Sequence, residues 1–524
     1  MTTAALYWHD YRYFPYERAL ARREVATLLG TQAEDRGDHV EVYMNGHKPE
    51  LLRRLTYFRE AVLSDGRRFI TDQAKLEASV GNQGRRQVTR YSAHGLHEYK
   101  GKFNPQLVRA IGNVIGIEPG QWVLDPFAGS GTTLLESAYS GWNGLGLDMN
   151  PVAVLVAKGK LQLAKATDLD VEEAVRGVTR RLRRATSGLD FERVWSEPEL
   201  RRVSGRKWSQ TSEERSYLER WFAMSVLVQI ERIRTTIEET VEPNLRAPFL
   251  AVLSDLLRNV SHQEAADLRV RRRRDPLENA PLIPQFLLAL PKRVKASRDA
   301  GLAMKTLKTS QVMVRGDSRL SIPTGRRHGG TRVPQLFDAA ITSPPYLTAL
   351  PYIDTQRLSL VALGLVTASG LGELERSLVG TREIRRARRE ALVAEVRDNP
   401  DIRLPAEVTK LCRHLADELV DSRDGFRRQN MPALAYQYFT DMATVFGNVR
   451  TVLKPGSAFA VVVGPNNTTI NGDLVLIDTP KLVAATAVKA GWRLERIDPL
   501  DTYPRYDLHQ RNSIRSESLL VFRS

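Results

Sequence analysis

Ser343-Pro344-Pro345-Tyr346 follows the apolar run Leu336-Phe337-Asp338-Ala339-Ala340-Ile341-Thr342. Two successive prolines remove two backbone N–H donors and fix φ at both positions. Their carbonyls remain as rigid acceptors with no competing donor. An exocyclic amine can donate one N–H to Ser343, through its hydroxyl or its carbonyl, and the other to the Pro344 carbonyl. Tyr346 can then lie flat against the ring that carries the amine, a stacking worth ~1–3 kcal/mol per base. These residues point to catalysis at a planar amino group. A purely structural turn is the plain alternative.

A second segment, Val123-Leu124-Asp125-Pro126-Phe127-Ala128-Gly129-Ser130-Gly131-Thr132-Thr133, reads as a strand, a glycine turn and a helix start. Gly129 and Gly131 let the backbone pass close to a ligand at the strand's carboxyl end. A phosphate-binding loop would need Gly-Lys-Ser/Thr at this place. Here Thr132-Thr133 follows Gly131, so the lysine is missing. Another strand, Gly144-Leu145-Gly146-Leu147, ends at Asp148, 23 residues after Asp125. Dinucleotide folds place an acid ~20 residues on to bind ribose hydroxyls.

Asp-Pro-Phe-Ala-Gly-Ser-Gly-Thr-Thr (125–133), Gly-Leu-Asp-Met-Asn-Pro (146–151) and Thr-Ser-Pro-Pro-Tyr (342–346) resemble the amino-methyltransferases of DNA. The stretch His97-Glu98-Tyr99-Lys100-Gly101-Lys102-Phe103-Asn104-Pro105-Gln106-Leu107 is similar to that family's other cofactor motif. The resemblance covers roughly 91–165, 308–350 and 436–524. It implies S-adenosylmethionine as cofactor and methylation of cytosine-N4 or adenine-N6. Ser rather than Asp or Asn before Pro-Pro-Tyr favours cytosine. Carried over position by position, it assigns cofactor binding to Lys102, Phe103, Pro105, Asp125, Pro126, Phe127, Gly129, Gly131, Thr132, Asp148, Met149 and Asp317. Ser343, Pro344, Pro345 and Tyr346 form the catalytic corner. For Asp317 a strand-end cap competes with contact to the adenine, and for Phe127 core packing competes with a cofactor face. The resemblance also implies double-stranded DNA with base flipping, since a paired base hides its reacting atom, and a restriction or defence setting.

Composition narrows the rest. The chain carries 77 basic and 61 acidic residues in 524, a net charge of +16, which suits a polyanionic partner. No apolar run reaches the ~18 residues of a membrane helix. The start of the chain lacks a signal-peptide pattern, and with a single cysteine this points to the cytoplasm. One cysteine also excludes an internal disulfide and a cysteine zinc cluster. Cys412 sits in a helical pattern away from the glycine turn, so thiolate attack on cytosine C5 is not expected. The three-residue gap between His94 and His97 lacks acidic or cysteine company, and surface or hydrogen-bonding histidines are expected with no metal.

We expect a doubly wound, Rossmann-like α/β sheet of about seven strands with two helical insertions and an N-terminal extension. The extension or cap is 1–90 and the cofactor half of the core 91–165. A helical insertion at 166–305 is a candidate for target recognition. The catalytic segment is 306–365, a second helical insertion 366–432, and the closing half of the core 433–524. Strands are expected at 121–125, 143–148, 311–315, 336–342, 458–463, 492–498 and 517–523, the last antiparallel by resemblance. The arginine run Arg271-Arg272-Arg273-Arg274 and the loop arginines Arg326 and Arg327 are candidate nucleic-acid contacts, against a solvated-face reading. The insertion at 370–430 rivals 166–305 for target reading.

Overall fold

The computed structural model describes residues 2–44, 46–78, 87–204, 211–264, 267, 270–302, 308–348, 351–420, 425–501 and 516–524. At its centre lies a seven-stranded sheet. Its strands are β1 (Trp122–Asp125), β2 (Asn143–Asp148), β3 (Gln311–Arg315), β4 (Phe337–Thr342), β5 (Leu453–Val463), β6 (Arg493–Asp501) and β7 (Ser516–Arg523), in spatial order 6-7-5-4-1-2-3. Strands 5, 4, 1, 2 and 3 pair in parallel, and β7 runs antiparallel to both β5 and β6. Central strands covered on both faces read as apolar runs. Ala339, Ala340 and Ile341 in β4 and Val123 and Leu124 in β1 are accordingly buried.

The strand order reverses between β1 and β4. In open α/β sheets a crevice opens at the carboxyl ends of the strands flanking such a switch. Helix α1 (Pro105–Val114) precedes the sheet, α2 (Thr132–Tyr139) follows β1, and α3 (Pro151–Lys165) follows β2. Asn104 and Asn150 cap α1 and α3 by accepting from the amides of Leu107 and Val152, at 3.2 and 3.0 Å. Helices α4 (Met431–Thr451) and α5 (Thr479–Lys489) flank β5 in sequence.

The first ninety residues, expected as an extension or cap, form more than a helical appendage. The structure finds a five-stranded antiparallel sheet there, built on Thr3–Trp8, Glu34–Asp35, His39–Tyr43, Phe58–Leu63 and Arg68–Ile70. Burial alternates along Thr3–Leu6, the period of two of a half-buried strand. Leu6, Val25 and Phe58 of this unit share one core with Leu107 and Ile111 of α1 and with Val123, Ile341 and Ala460 of the central sheet. A hairpin after β5, Asn466–Ile470 with Asp473–Ile477, was also missed. It turns at Asn471-Gly472, both at positive φ (51° and 92°), which suits Asn-Gly.

The helices of 168–302 are not a separate body. Val178, Ile230, Ile237, Val252 and Phe286 share a core with Val152 and Val156 of α3 and with Ile353 and Leu360. Helices Arg386–Asp398 and Ala406–Leu419 pack Val396, Cys412 and Leu415 against Tyr436 and Phe439 of α4. Cys412 is buried, and burial pushes its thiol up to about 12. No helix among the described residues is long and apolar enough to cross a membrane. The basic segment 81–90 lies outside the described residues as far as 86, as does His509-Gln510-Arg511.

Candidate active site

Parallel pairing puts Ala339 opposite Val123 and Ala340 opposite Leu124. Both strands therefore end together, and the segments that follow them share one edge of the sheet. Thr342, the last residue before the serine, donates its hydroxyl to Asp125 Oδ1 at 2.6 Å. Asp125 also accepts from the Phe127 amide at 3.0 Å. Burial pushes its carboxyl up to about 6. The proline corner and the glycine turn, far apart in sequence, are thus fastened to each other through one carboxylate.

Asp148 organises the other side of the turn. Its Oδ2 accepts from the Gly129 amide at 2.9 Å, and its Oδ1 from the Asn150 amide at 2.8 Å. Burial pushes this carboxyl up to about 6 as well. A carboxylate has about four lone-pair sites, so two remain for hydroxyl donors. Gly131, at φ +75°, packs so tightly on α3 that a Cβ there would lie 2.7 Å from Ala157 Cβ. Gly129, at φ +49°, faces more open space, with the Tyr99 ring edge 3.9 Å from where a Cβ would stand. A diol-bearing ligand lying over Gly129, with its hydroxyls on Asp148, fits these residues.

Other residues expected at the cofactor sit less directly. Pro126 and Thr132 are buried within the turn and the start of α2, and Phe127 packs partly against the core. Lys102 Nζ donates to the Thr89 carbonyl at 2.7 Å, Phe103 packs against the N-terminal core, and Pro105 starts α1. Tyr99, in the same segment, is the residue that reaches the turn, and the sequence reading left it unassigned. Asp317, just past β3, is engaged by Arg319 at 2.7–3.2 Å, and that arginine also reaches Asp441 at 2.9 Å and Met149 Sδ at 3.6 Å. Arg319 and Asp441 carry no motif, so only their convergence in space reveals them.

The corner is held from three directions. Tyr346 donates its hydroxyl to Glu517 Oε1 of β7 at 2.8 Å. Asn466, at the start of the hairpin, donates to the Leu347 carbonyl and to Thr348 Oγ1. From the second insertion, Arg382 Nε donates to the Thr348 carbonyl at 2.6 Å. Gly380 lies so close that a Cβ would meet the Tyr346 carbonyl at 2.9 Å. Thr348 has φ +48°, a costly conformation for a β-branched residue, retained where surrounding structure dictates it.

The histidines are internal. His94 Nε2 bonds Glu136 Oε1 at 2.7 Å, and His97 Nε2 bonds Ser254 Oγ at 3.1 Å. Burial lowers His94 to about 3, so it is neutral and Nε2–H donates to the carboxylate. Of the two expectations for these residues, hydrogen bonding holds and surface exposure does not. Among the arginines proposed for nucleic acid, Arg273 is taken up by the carbonyls of Asn259, Ser261 and Gln263. Arg272 lies over the Trp221 ring and donates to the Arg220 carbonyl. Arg271, Arg274 and Arg326 are exposed, and Arg327 donates to the Gly330 carbonyl across a small hairpin.

The sheet order, the glycine turn after β1 and the acid after β2 define a Rossmann-like α/β fold. Residues 76–159 match the family model described as DNA methylase. Over 292 residues the chain is 24% identical to the Type II methyltransferase M.MvaI of Kocuria varians, covering 53% of this chain and 59% of the relative. A 69-residue stretch is 46% identical to the Type II methyltransferase M.MjaII of Methanocaldococcus jannaschii, 13% of each chain. Another, of 73 residues, is 34% identical to the tRNA (guanine(10)-N2)-dimethyltransferase of Methanothermobacter thermautotrophicus, 14% of this chain and 22% of that one. The chain thus spans little more than half of the longest-matching relative and small parts of the others. In these segments the chain is similar to the N6/N4 amino-methyltransferases, whose cofactor is S-adenosylmethionine.

Proposed function

We propose that this protein is a site-specific DNA methyltransferase that methylates the exocyclic amine of an extruded base, cytosine-N4 in preference to adenine-N6. The supporting observation is the Thr342–Asp125 hydrogen bond, which joins the amine-accepting corner to the cofactor turn at 2.6 Å. The Gly129–Gly131 turn, Tyr99 and Asp148 would hold S-adenosylmethionine, with Asp125, Met149 and Asp317 around them. When bound, that cofactor supplies a methyl group on a positively charged sulfur.

The chain's own residues do the rest by positioning. Ser343 and the Pro344 carbonyl accept the two amine N–H groups and turn the nitrogen lone pair out of conjugation with the ring. Tyr346 stacks on the base, its plane set by Glu517. Near-attack positioning of this kind is worth up to ~7–11 kcal/mol. No strong base is needed, because the amine becomes acidic as it gains the methyl and sheds its proton to water.

Labelled cofactor, incubated separately with DNA and RNA pools and followed by nucleoside mass spectrometry, tests this. N4-methylcytosine in DNA supports the proposal, and N6-methyladenine in DNA would reassign the base. A methylated base amine in RNA alone would overturn it. The similarity to the archaeal tRNA methyltransferase favours that second reading. Serine before Pro-Pro-Tyr counts against it, because RNA enzymes with this corner more often carry Asp or Asn.

Asp148 adds a pH dependence. Ribose hydroxyls donate to the ionised carboxylate, whereas below about 6 the carboxyl of the free protein is protonated. Affinity for S-adenosylhomocysteine should be flat above that pH and fall by up to ~10-fold per unit below it. Calorimetric titration of the wild type and Asp148→Asn checks this. The variant binds weakly, and the part of the slope owed to Asp148 disappears.

A further inference from the structure

Gly425-Phe426-Arg427-Arg428-Gln429 closes the second insertion just before α4. Phe426 is 63% exposed, unusual for a large apolar ring on a strongly basic stretch. Its neighbour Arg427 is exposed, and so are Arg385 and Arg388 at the start of helix Arg386–Asp398. Arg389 reaches Asn430 at 3.4 Å and so ties that helix to the turn.

The turn stands beside the proline corner. Met431 Sδ, at the start of α4, lies 3.9 Å from Thr348 Oγ1, and Thr348 is two residues past Tyr346. Arg382, from the same insertion, clamps the Thr348 carbonyl. Burial pushes the Asp354 carboxyl up, and Arg357, Arg382 and Arg427 lie near enough to act against that rise. Glu390 is already paired with Arg386. An apolar ring flanked by exposed guanidinium groups, on the segment that leads to the proline corner, matches a duplex opened at one step. Apolar wedges unstack base steps while cations hold the flanking phosphates.

We infer that Phe426 enters the double helix at the place vacated by the extruded base, with Arg385, Arg388 and Arg427 on the adjoining phosphates. This makes the second insertion, rather than Arg271–Arg274, the surface that grips DNA at the reacting base. The inference rests on the proposed methyltransferase activity.

The test begins by mapping the site that the wild type methylates in plasmid DNA. That site is then synthesised as a fully paired duplex and as one with a mismatch opposite the target base. Phe426→Ala should lose roughly 10- to 100-fold in kcat/KM on the paired duplex and little on the mismatched one, where opening costs less. Phe426→Trp should retain most activity on both. S-adenosylhomocysteine titration checks that Phe426→Ala is folded. Equal losses on the two duplexes, or no loss on the paired one, overturn the wedge while leaving the methyltransferase standing. A wild type that methylates no DNA overturns the methyltransferase reading and the wedge with it.

Discussion

Tyr346→Ala should lower methyl transfer by roughly 100-fold or more while leaving cofactor affinity within about 2-fold of wild type. Loss of stacking alone accounts for ~1–3 kcal/mol, or roughly 5- to 150-fold. Misplacement of the amine against the Ser343 and Pro344 acceptors adds to it. Cofactor affinity survives because the Asp148 and Gly129 contacts belong to other strands. Tyr346→Phe keeps the ring and forfeits the hydroxyl's bonds to Glu517 and Ser343, so its loss should stay within about 10-fold. Single-turnover rates with saturating cofactor separate these variants. Undiminished turnover by Tyr346→Ala would remove the tyrosine from the mechanism.

Glu136→Ala should cost about 3–5 kcal/mol of stability, by a route unrelated to the base. Glu136 on α2 is fully buried, and its carboxylate accepts from Arg109 Nε of α1 at 3.0 Å, from His94 at 2.7 Å and from the Tyr91 hydroxyl at 2.9 Å. Burial alone would push this carboxyl up; Arg109 and the two hydrogen bonds outweigh it and hold it below the usual range. Alanine strands the Arg109 guanidinium, itself 2% exposed, in the interior without its counter-charge. Glu136→Gln preserves shape and one acceptor and should cost less. Urea unfolding midpoints order the three proteins, and a wild-type midpoint for Glu136→Ala would mean the network contributes nothing.

The central sheet was legible because each strand is a short apolar run closed by a glycine, acid or proline signal. Expected and observed bounds agree within two or three residues for six of the seven strands. The exception, β5, begins at Leu453 instead of 458 because the Lys454-Pro455-Gly456 turn continues the strand's edge. Thr342 could not be assigned from sequence, since its importance comes from a carboxylate that is distant along the chain and adjacent in space. Glu136 and Arg109 were invisible for a similar reason. Charged residues on amphipathic helices read as solvent-facing, and only the stacking of α1 on α2 shows that these face each other. The first-ninety-residue sheet was hidden by charged side chains on its outer face, which diluted the alternation.

The common core of 168–302 and α3 has a practical consequence for engineering. Val152 and Val156 of α3, the helix behind the cofactor turn, are covered by Ile237, Val252 and Phe286. Excising that block, or grafting another in its place, would lay bare the apolar back of α3. Re-engineering of this chain is better sought by altering side chains than by transplanting the block.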